Sequence, residues 1–301
     1  MTPSTTDQSP IEVQAKLEEN LVRYNGEDAV VSSTEMRAIL KNRQRSEVRF
    51  RAGIPGLDDL VDGFEGGELV ALSGPTKHGK TLLAQTLTVK FAEQGINSLW
   101  ISFEVPMPQF LKQMPDSCEF YLPKLLRPHN ATWLDDRILE SKLKDNVRAV
   151  FIDHLHYLVD LAKGGRNISV DIGQVVRGLK RTAVRHNLVL FLLCHATKAL
   201  TEKGEQRELG AFDIRDSSFV PQEADSTWVI MRRKDRETDE FNNRATLKVC
   251  NHRRTGVMER RVILEKRGLL FEQAYEPGEE PIIIAGGPVA DGGDGGDSIP
   301  F

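Results

Sequence analysis

The chain has 301 residues, 40% hydrophobic and 28% charged, which bounds it to one large globular domain with extensions. Its 40 basic and 44 acidic residues give a net charge of −4, but the seven acids from Glu272 onward meet no Lys or Arg, so the body before them holds 40 basic against 37 acidic residues, a mildly basic surface that tolerates nucleic acid without requiring it. No apolar run nears the roughly 18 residues of a membrane span; the polar start "MTPSTTDQSPIEVQ" lacks the basic-then-apolar order of a signal peptide; and Cys118, Cys194 and Cys250 form no paired spacing, so a reduced, cytoplasmic setting without membrane contact is expected.

Residues 1–49 are polar and hold two helical patterns, "IEVQAKLEENLVRY" and "SSTEMRAILKNRQRS". The second opens with a capping-box spacing, Ser32 to Glu35, and carries Met36, Ile39 and Leu40 as an apolar stripe. This stretch reads as an arm rather than a domain. Residues 50–275 read as one domain of alternating strands and helices. The candidate strands are "ELVALS", "NSLWISFE", "VRAVFIDH", "LVLFLLCH", "STWVIMRR", "ATLKVC" and "RRVILEK", and helices are predicted over Thr81–Glu93 and "SVDIGQVVRGLKRTAVRH". Near-continuous apolar strands between helices predict an α/β fold, a mostly parallel sheet covered by helices on both faces. Residues 276–301 are Gly- and Asp-rich and predict a tail that orders only on binding.

Within this frame "GPTKHGKT", Gly74, Pro75, Thr76, Lys77, His78, Gly79, Lys80 and Thr81, has the full P-loop spacing, and it sits between a strand and a helix as the motif requires. Backbone N–H groups of such a loop and the helix N-terminus cradle phosphates. Lys80 would reach the β- and γ-phosphates of ATP, and the Thr81 hydroxyl would sit on Mg²⁺. "AVFIDH" ends a strand in Asp153, a place for a carboxylate that completes the metal site, and "SLWISFE" ends in Glu104, placed to polarise an attacking water. His154 and His156 alternate as metal ligands on a strand would, but no third ligand lies nearby in sequence, so a structural zinc is not expected. Trp100, Trp133 and Trp228 read as core residues.

Six segments then resemble, in order, the motor of DnaB-type (superfamily 4) replicative helicases, which share the RecA-like P-loop ATPase fold. They are "GIPGLDDLVDGFEGGELVALSGPTKHGKT", "ISFEVPMPQFLKQM", "VFIDHLHYL", "LVLFLLCHATKA", "FDIRDSSFVPQEADSTWVIMRR" and "LKVCNHRRTG". The resemblance implies an ATP-driven ring, a hexamer, that translocates on single-stranded DNA in replication. A RecA-like recombination ATPase and a slow nucleotide-gated DNA-binding or loading factor are the other readings. It assigns Lys80, Thr81 and Asp153 to phosphate and Mg²⁺, Glu104 to the catalytic base, and His195 to the place of a γ-phosphate-sensing glutamine. Arg253 is implied as the arginine finger given to a neighbouring subunit, with Arg254 beside it as the competing assignment. Arg215, Asp216 and Ser218 are implied to grip the DNA backbone. Asn251 departs from the family's lysine, and His195 from its glutamine. Only the arm stands where family members have a primase-docking domain, which suggests a phage or mobile element acting in a bacterial host cytoplasm; "SSTEMRAILKNRQRS" has the place of the linker helix that packs on a neighbour. The terminal Ile299, Pro300 and Phe301, after diluted acids, resemble the tip of bacterial single-stranded-DNA-binding proteins and imply docking to host proteins that bind such tips.

Overall fold

A strand that is apolar along its whole length has to be covered on both sides, and the architecture does this. The computed structural model describes residues 10–26, 28–42, 48–126, 132–155, 157–158, 168–197, 207–214, 218–234 and 241–275. It divides into two units between Glu47 and Val48. In the first, helices α1 (Pro10–Val22) and α2 (Ser33–Asn42) follow the predicted patterns. Ser32 Oγ accepts the Glu35 N–H at 3.1 Å, the Ser half of the predicted capping box, and Met36 and Leu40 are exposed.

The second unit is built on one eight-stranded sheet. In chain order its strands are β3 (Leu69–Gly74), β4 (Ser98–Ser102), β5 (Ala149–Asp153), β6 (Val189–His195), β7 (Ser226–Lys234), β8 (Phe241–His252), β9 (Met258–Arg267) and β10 (Leu270–Ala274). In space they run β10-β9-β8-β7-β3-β6-β5-β4. The five from β7 to β4 are mutually parallel, and β8, β9 and β10 extend β7 as an antiparallel meander. A separate two-stranded ribbon, β1 (Arg49–Phe50) and β2 (Phe64–Glu65), precedes them. All seven strands named from the sequence are present. The sequence reading did not name β1, β2 or β10; the first two have two residues each, and β10 follows β9 through a tight turn at Gly268 (φ 58°).

Alternate residues of each parallel strand serve different cores. Val70, Leu72, Phe151, Phe191 and Leu193 face helices α3 (Pro55–Val61) and α4 (Lys80–Glu93). Leu69, Ala71, Val150, Ile152, Leu190 and Leu192 face α6 (Trp133–Asp145) and α7 (Ile168–His186), with Ile172, Val176, Leu179 and Ala183 forming the buried stripe of α7. Two short helices, α5 (Met107–Leu111) and α8 (Phe219–Glu223), and a 3-10 helix at Ala211–Asp213 also lie among the described residues. On the α4 side, Trp100, Phe151 and Phe191 stack across three adjacent strands at centroid spacings of 4.9 and 4.7 Å. All three tryptophans are buried, as expected of core residues. This packing makes the sheet a stiff platform, and the parallel order brings the carboxyl ends of β3, β4, β5 and β6 to one edge, where open α/β sheets bind ligands.

Candidate active site

The loop leaving β3 has the shape its glycines permit. Gly74 has φ 154°, and a Cβ there would lie 2.4 Å from the Ile230 carbonyl oxygen of the neighbouring strand. Gly79, at the N-cap of α4, has φ 100°, and a Cβ would press on the Phe271 ring at 3.0 Å. Side chains at these two positions would push the loop off the sheet. Lys80 is buried; its Nζ donates to the carbonyls of Gly74 (2.8 Å) and Pro75 (3.1 Å), and burial lowers its pKa against the pull of Asp153 and Glu104. His78, within the loop, turns its side chain to the far strands: Nδ1 accepts the Arg232 N–H at 3.0 Å, and the ring meets Phe241 edge-on at 4.9 Å.

Thr81, in the first turn of α4, donates its hydroxyl to Asp153 Oδ2 at 3.1 Å. Asp153 is fully buried, and burial, then the negative charge of Glu104, raises its pKa to about 6. Its second oxygen, Oδ1, has no hydrogen-bond partner. A hydroxyl beside a buried carboxylate with one unmatched oxygen is a donor set for a hard divalent cation, so these residues fit Mg²⁺.

The next two strand ends supply the other expected groups. Glu104 follows β4, His195 ends β6, and the two approach to 3.9 Å between Oε2 and Nε2. The structure adds His154, buried at the end of β5, with its ring 4.3 Å from that of His195. From His195 the chain continues into a braced stem. Ala196 donates to the Gly74 carbonyl at 3.2 Å and bridges Ile214, and Thr197 donates to the Asp213 carbonyl at 2.7 Å. Arg207 pairs with Asp213 and donates to Thr197 Oγ1 at 3.2 Å. Burial works to raise the Asp213 pKa, but the Gly210 N–H and the Arg207 guanidinium outweigh it and hold it low. Thus P-loop, strand end and the stem that leads to residue 215 are hydrogen-bonded in series.

Arg215 and Asp216 lie outside the described residues, as do His156, most of the polar loop before Arg207, and Ile299, Pro300 and Phe301. Of the three DNA candidates, Ser218 alone is placed: it is exposed at the head of α8.

The two arginines of the β8–β9 turn differ sharply. Arg254 is tied into its own domain: Nε pairs with Glu68 at 2.9 Å, and the guanidinium donates to the carbonyls of Val61 (2.9 Å) and Gly63 (2.7 Å). Arg253 has a half-exposed side chain that touches the Gln222 carbonyl and lies 3.9 Å from Asp225. Asn251, at the family's lysine position, lies on β8 and pairs with Met258 and Thr227.

What sequence reading missed is the company these residues keep. No local signal joins His154 to Glu104 and His195, because three strands bring them together. The side-chain use of His78 is equally silent in "GPTKHGKT".

The same stretch of chain is similar to known proteins. A family model described as the KaiC ATPase matches residues 50–192, and the model of the DnaB-like helicase C-terminal domain matches residues 128–273. The replicative DNA helicase DnaB of Rickettsia conorii is 24% identical over 221 residues, covering 60% of this chain and 44% of that protein. The chain spans about half the length of the curated relatives it matches. Among solved structures, an ATPase domain superposes with a TM-score of 0.64 at 17% identity, covering 80% of this chain and 97% of that one. A DnaB-like replicative helicase, solved in a study of its interactions with primase, gives 0.63 at 17% identity, covering 88% and 72%. Together the two family models span residues 50–273, and with the relatives and the fold they support a DnaB-type helicase domain of RecA fold over this stretch.

Proposed function

We propose that the protein is an ATP-dependent DNA helicase that works as a ring, a hexamer, translocating on single-stranded DNA during replication in the cytoplasm. The observation that carries this reading is the convergence of Lys80, Thr81, Asp153, Glu104 and His195 on one sheet edge, with His195 wired to the stem of the loops assigned to DNA. Lys80 gives up its loop carbonyls for the phosphates of ATP. Thr81 and Asp153 would hold Mg²⁺, which when bound would neutralise phosphate charge. Glu104 accepts the proton of the attacking water, and His195 reports the γ-phosphate state through Ala196 and Thr197 to the segment holding Arg215, Asp216 and Ser218. Arg253 is the finger offered to the neighbouring subunit, because Arg254 is consumed at home.

In the proposed organisation residues 1–49 form an arm whose helix α2 packs on a neighbour, 50–275 the motor, and 276–301 the tail. The test of function is ATP hydrolysis with and without single strands, with unwinding of a forked duplex. Glu104→Gln should lose about 10²–10⁴ in turnover while still binding ATP and DNA; near wild-type hydrolysis would remove Glu104 from the mechanism. For the tail, deleting Ile299–Phe301 should leave ATPase and unwinding of naked forks intact and abolish capture of host proteins that bind single-stranded-DNA-binding-protein tips. Tighter DNA binding after deletion, with no partner lost, would instead mean that the tail occupies the DNA channel.

A further inference from the structure

Glu104, His154 and His195 come from the carboxyl ends of three adjacent parallel strands, β4, β5 and β6, and each offers one ligand atom such that all three lie within 4.8 Å of one another. The two imidazoles meet edge to face at 83°, and the glutamate oxygen lies 3.9 Å from His195 Nε2. This donor set differs in kind from the one beside it. Thr81 and Asp153 present hard oxygens, which suit Mg²⁺. Two imidazoles with one carboxylate suit Zn²⁺ and related transition metals.

We propose that Glu104, His154 and His195 form a second cation site, selective for Zn²⁺-class metals, that shuts down hydrolysis when filled. With metal–ligand bonds of about 2.0–2.2 Å, a tetrahedral site holds its ligand atoms roughly 3.3–3.6 Å apart, so the trio must close by about 1 Å. Glu104 can supply part of that movement, since its side chain is partly exposed and follows the end of its strand. Three protein ligands leave the fourth position open to water or to a phosphate oxygen, unlike a closed structural site. Two carboxylates, Asp153 and Glu104, crowd this sheet edge against the single charge of Lys80, and an extra cation offsets the repulsion that remains. Inhibition follows from the ligand list: coordination withdraws electron density from the Glu104 carboxylate and fixes it on the cation, which makes it a much weaker base for the proton of an attacking water. The binding claim stands on the geometry alone; the inhibition claim rests on the function proposed above.

The experiment uses the full chain without a histidine tag, stripped with a chelator and free of nucleotide. Titration with Co²⁺ should develop the visible absorption of a four-coordinate cobalt site, be competed by Zn²⁺ and survive excess Mg²⁺. His154→Asn should weaken Co²⁺ binding at least 10-fold, keep Mg²⁺-dependent hydrolysis and lose sensitivity to Zn²⁺ by a similar factor. Should His154→Asn not fold, Glu104→Gln, altered at a partly exposed side chain, should abolish the cobalt band with an unchanged melting curve. No cobalt band in the wild type, or an equal band in wild type and both variants, overturns the site. A band that depends on these residues in a protein that never hydrolyses ATP keeps the site and overturns the proposed function instead.

Discussion

The two halves of the sheet do different work. The parallel half, from β4 to β7, has short central strands buried on both faces, and Glu104, Asp153 and His195 stand at its carboxyl edge. The meander of β8, β9 and β10 has strands of 12, 10 and 5 residues with many exposed positions, and its β8–β9 turn carries Arg253 and Arg254. The difference teaches a division of labour. The residues proposed to act on a nucleotide within one subunit sit at the ends of strands buried on both faces, while the residue proposed to act on a neighbour sits on a turn at the end of two long strands. Arg254 is what makes the turn dependable, by anchoring it to α3, β2 and Glu68, so that Arg253 is held out at a fixed place.

The strongest way to break this comparison is to separate the halves between subunits. Arg253→Ala alone should lose about 10³-fold or more in turnover with unchanged stability. Lys80→Ala should be equally dead. Mixing the two should restore hydrolysis, because some interfaces then join an intact P-loop to an intact finger. No recovery under conditions that allow subunit exchange would place Arg253 in its own subunit's site or outside catalysis.

Arg254→Ala sharpens the contrast from the other side. It leaves the nearly buried Glu68 without its cation, and burial already raises the Glu68 pKa against the pull of Arg254. The loss should be about 3 kcal/mol, read as a fall of roughly 10 °C in Tm for a domain of this size. A large loss of stability from Arg253→Ala, and none from Arg254→Ala, would reverse the assignment.

The smallest effect is in the same turn. His252 Nδ1 accepts the Thr255 N–H at 3.2 Å, and Thr255 Oγ1 donates to the Leu60 carbonyl at 3.0 Å. Burial, then the nearby Arg254 charge, lowers the His252 pKa to about 4. The folded state therefore resists a proton that the unfolded chain accepts near 6.5, so this stabilisation is complete above about pH 6.5 and is lost as pH falls toward 4. His252→Asn keeps an acceptor without the titration. Its Tm should fall less than that of the wild type between pH 7 and 5, by a few degrees; parallel curves would mean that other groups dominate acid sensitivity.

Much of this molecule was legible in one dimension. The P-loop, with Lys80 and Thr81 where it opens a helix, declares itself by spacing, and Asp153 and Glu104 fall at strand ends that apolar runs make visible, because burial on both faces leaves an unbroken hydrophobic signature. The capping spacing of Ser32 and the core places of Trp100, Trp133 and Trp228 were readable for the same reason: each depends on a few neighbours in the chain or on simple hydrophobicity. What only the tertiary structure decided is who meets whom. The order β4-β5-β6 in space places residues from distant parts of the chain side by side, so His154 joins Glu104 and His195, though its neighbour in "HLHY" suggested a different partner. Arg253 and Arg254 are alike in sequence and opposite in setting, because adjacent residues of a turn point to different surroundings, and only one of those surroundings holds Glu68 and the carbonyls of Val61, Asp62 and Gly63. Local periodicity records how a segment is buried; it carries no record of which distant segment buries it.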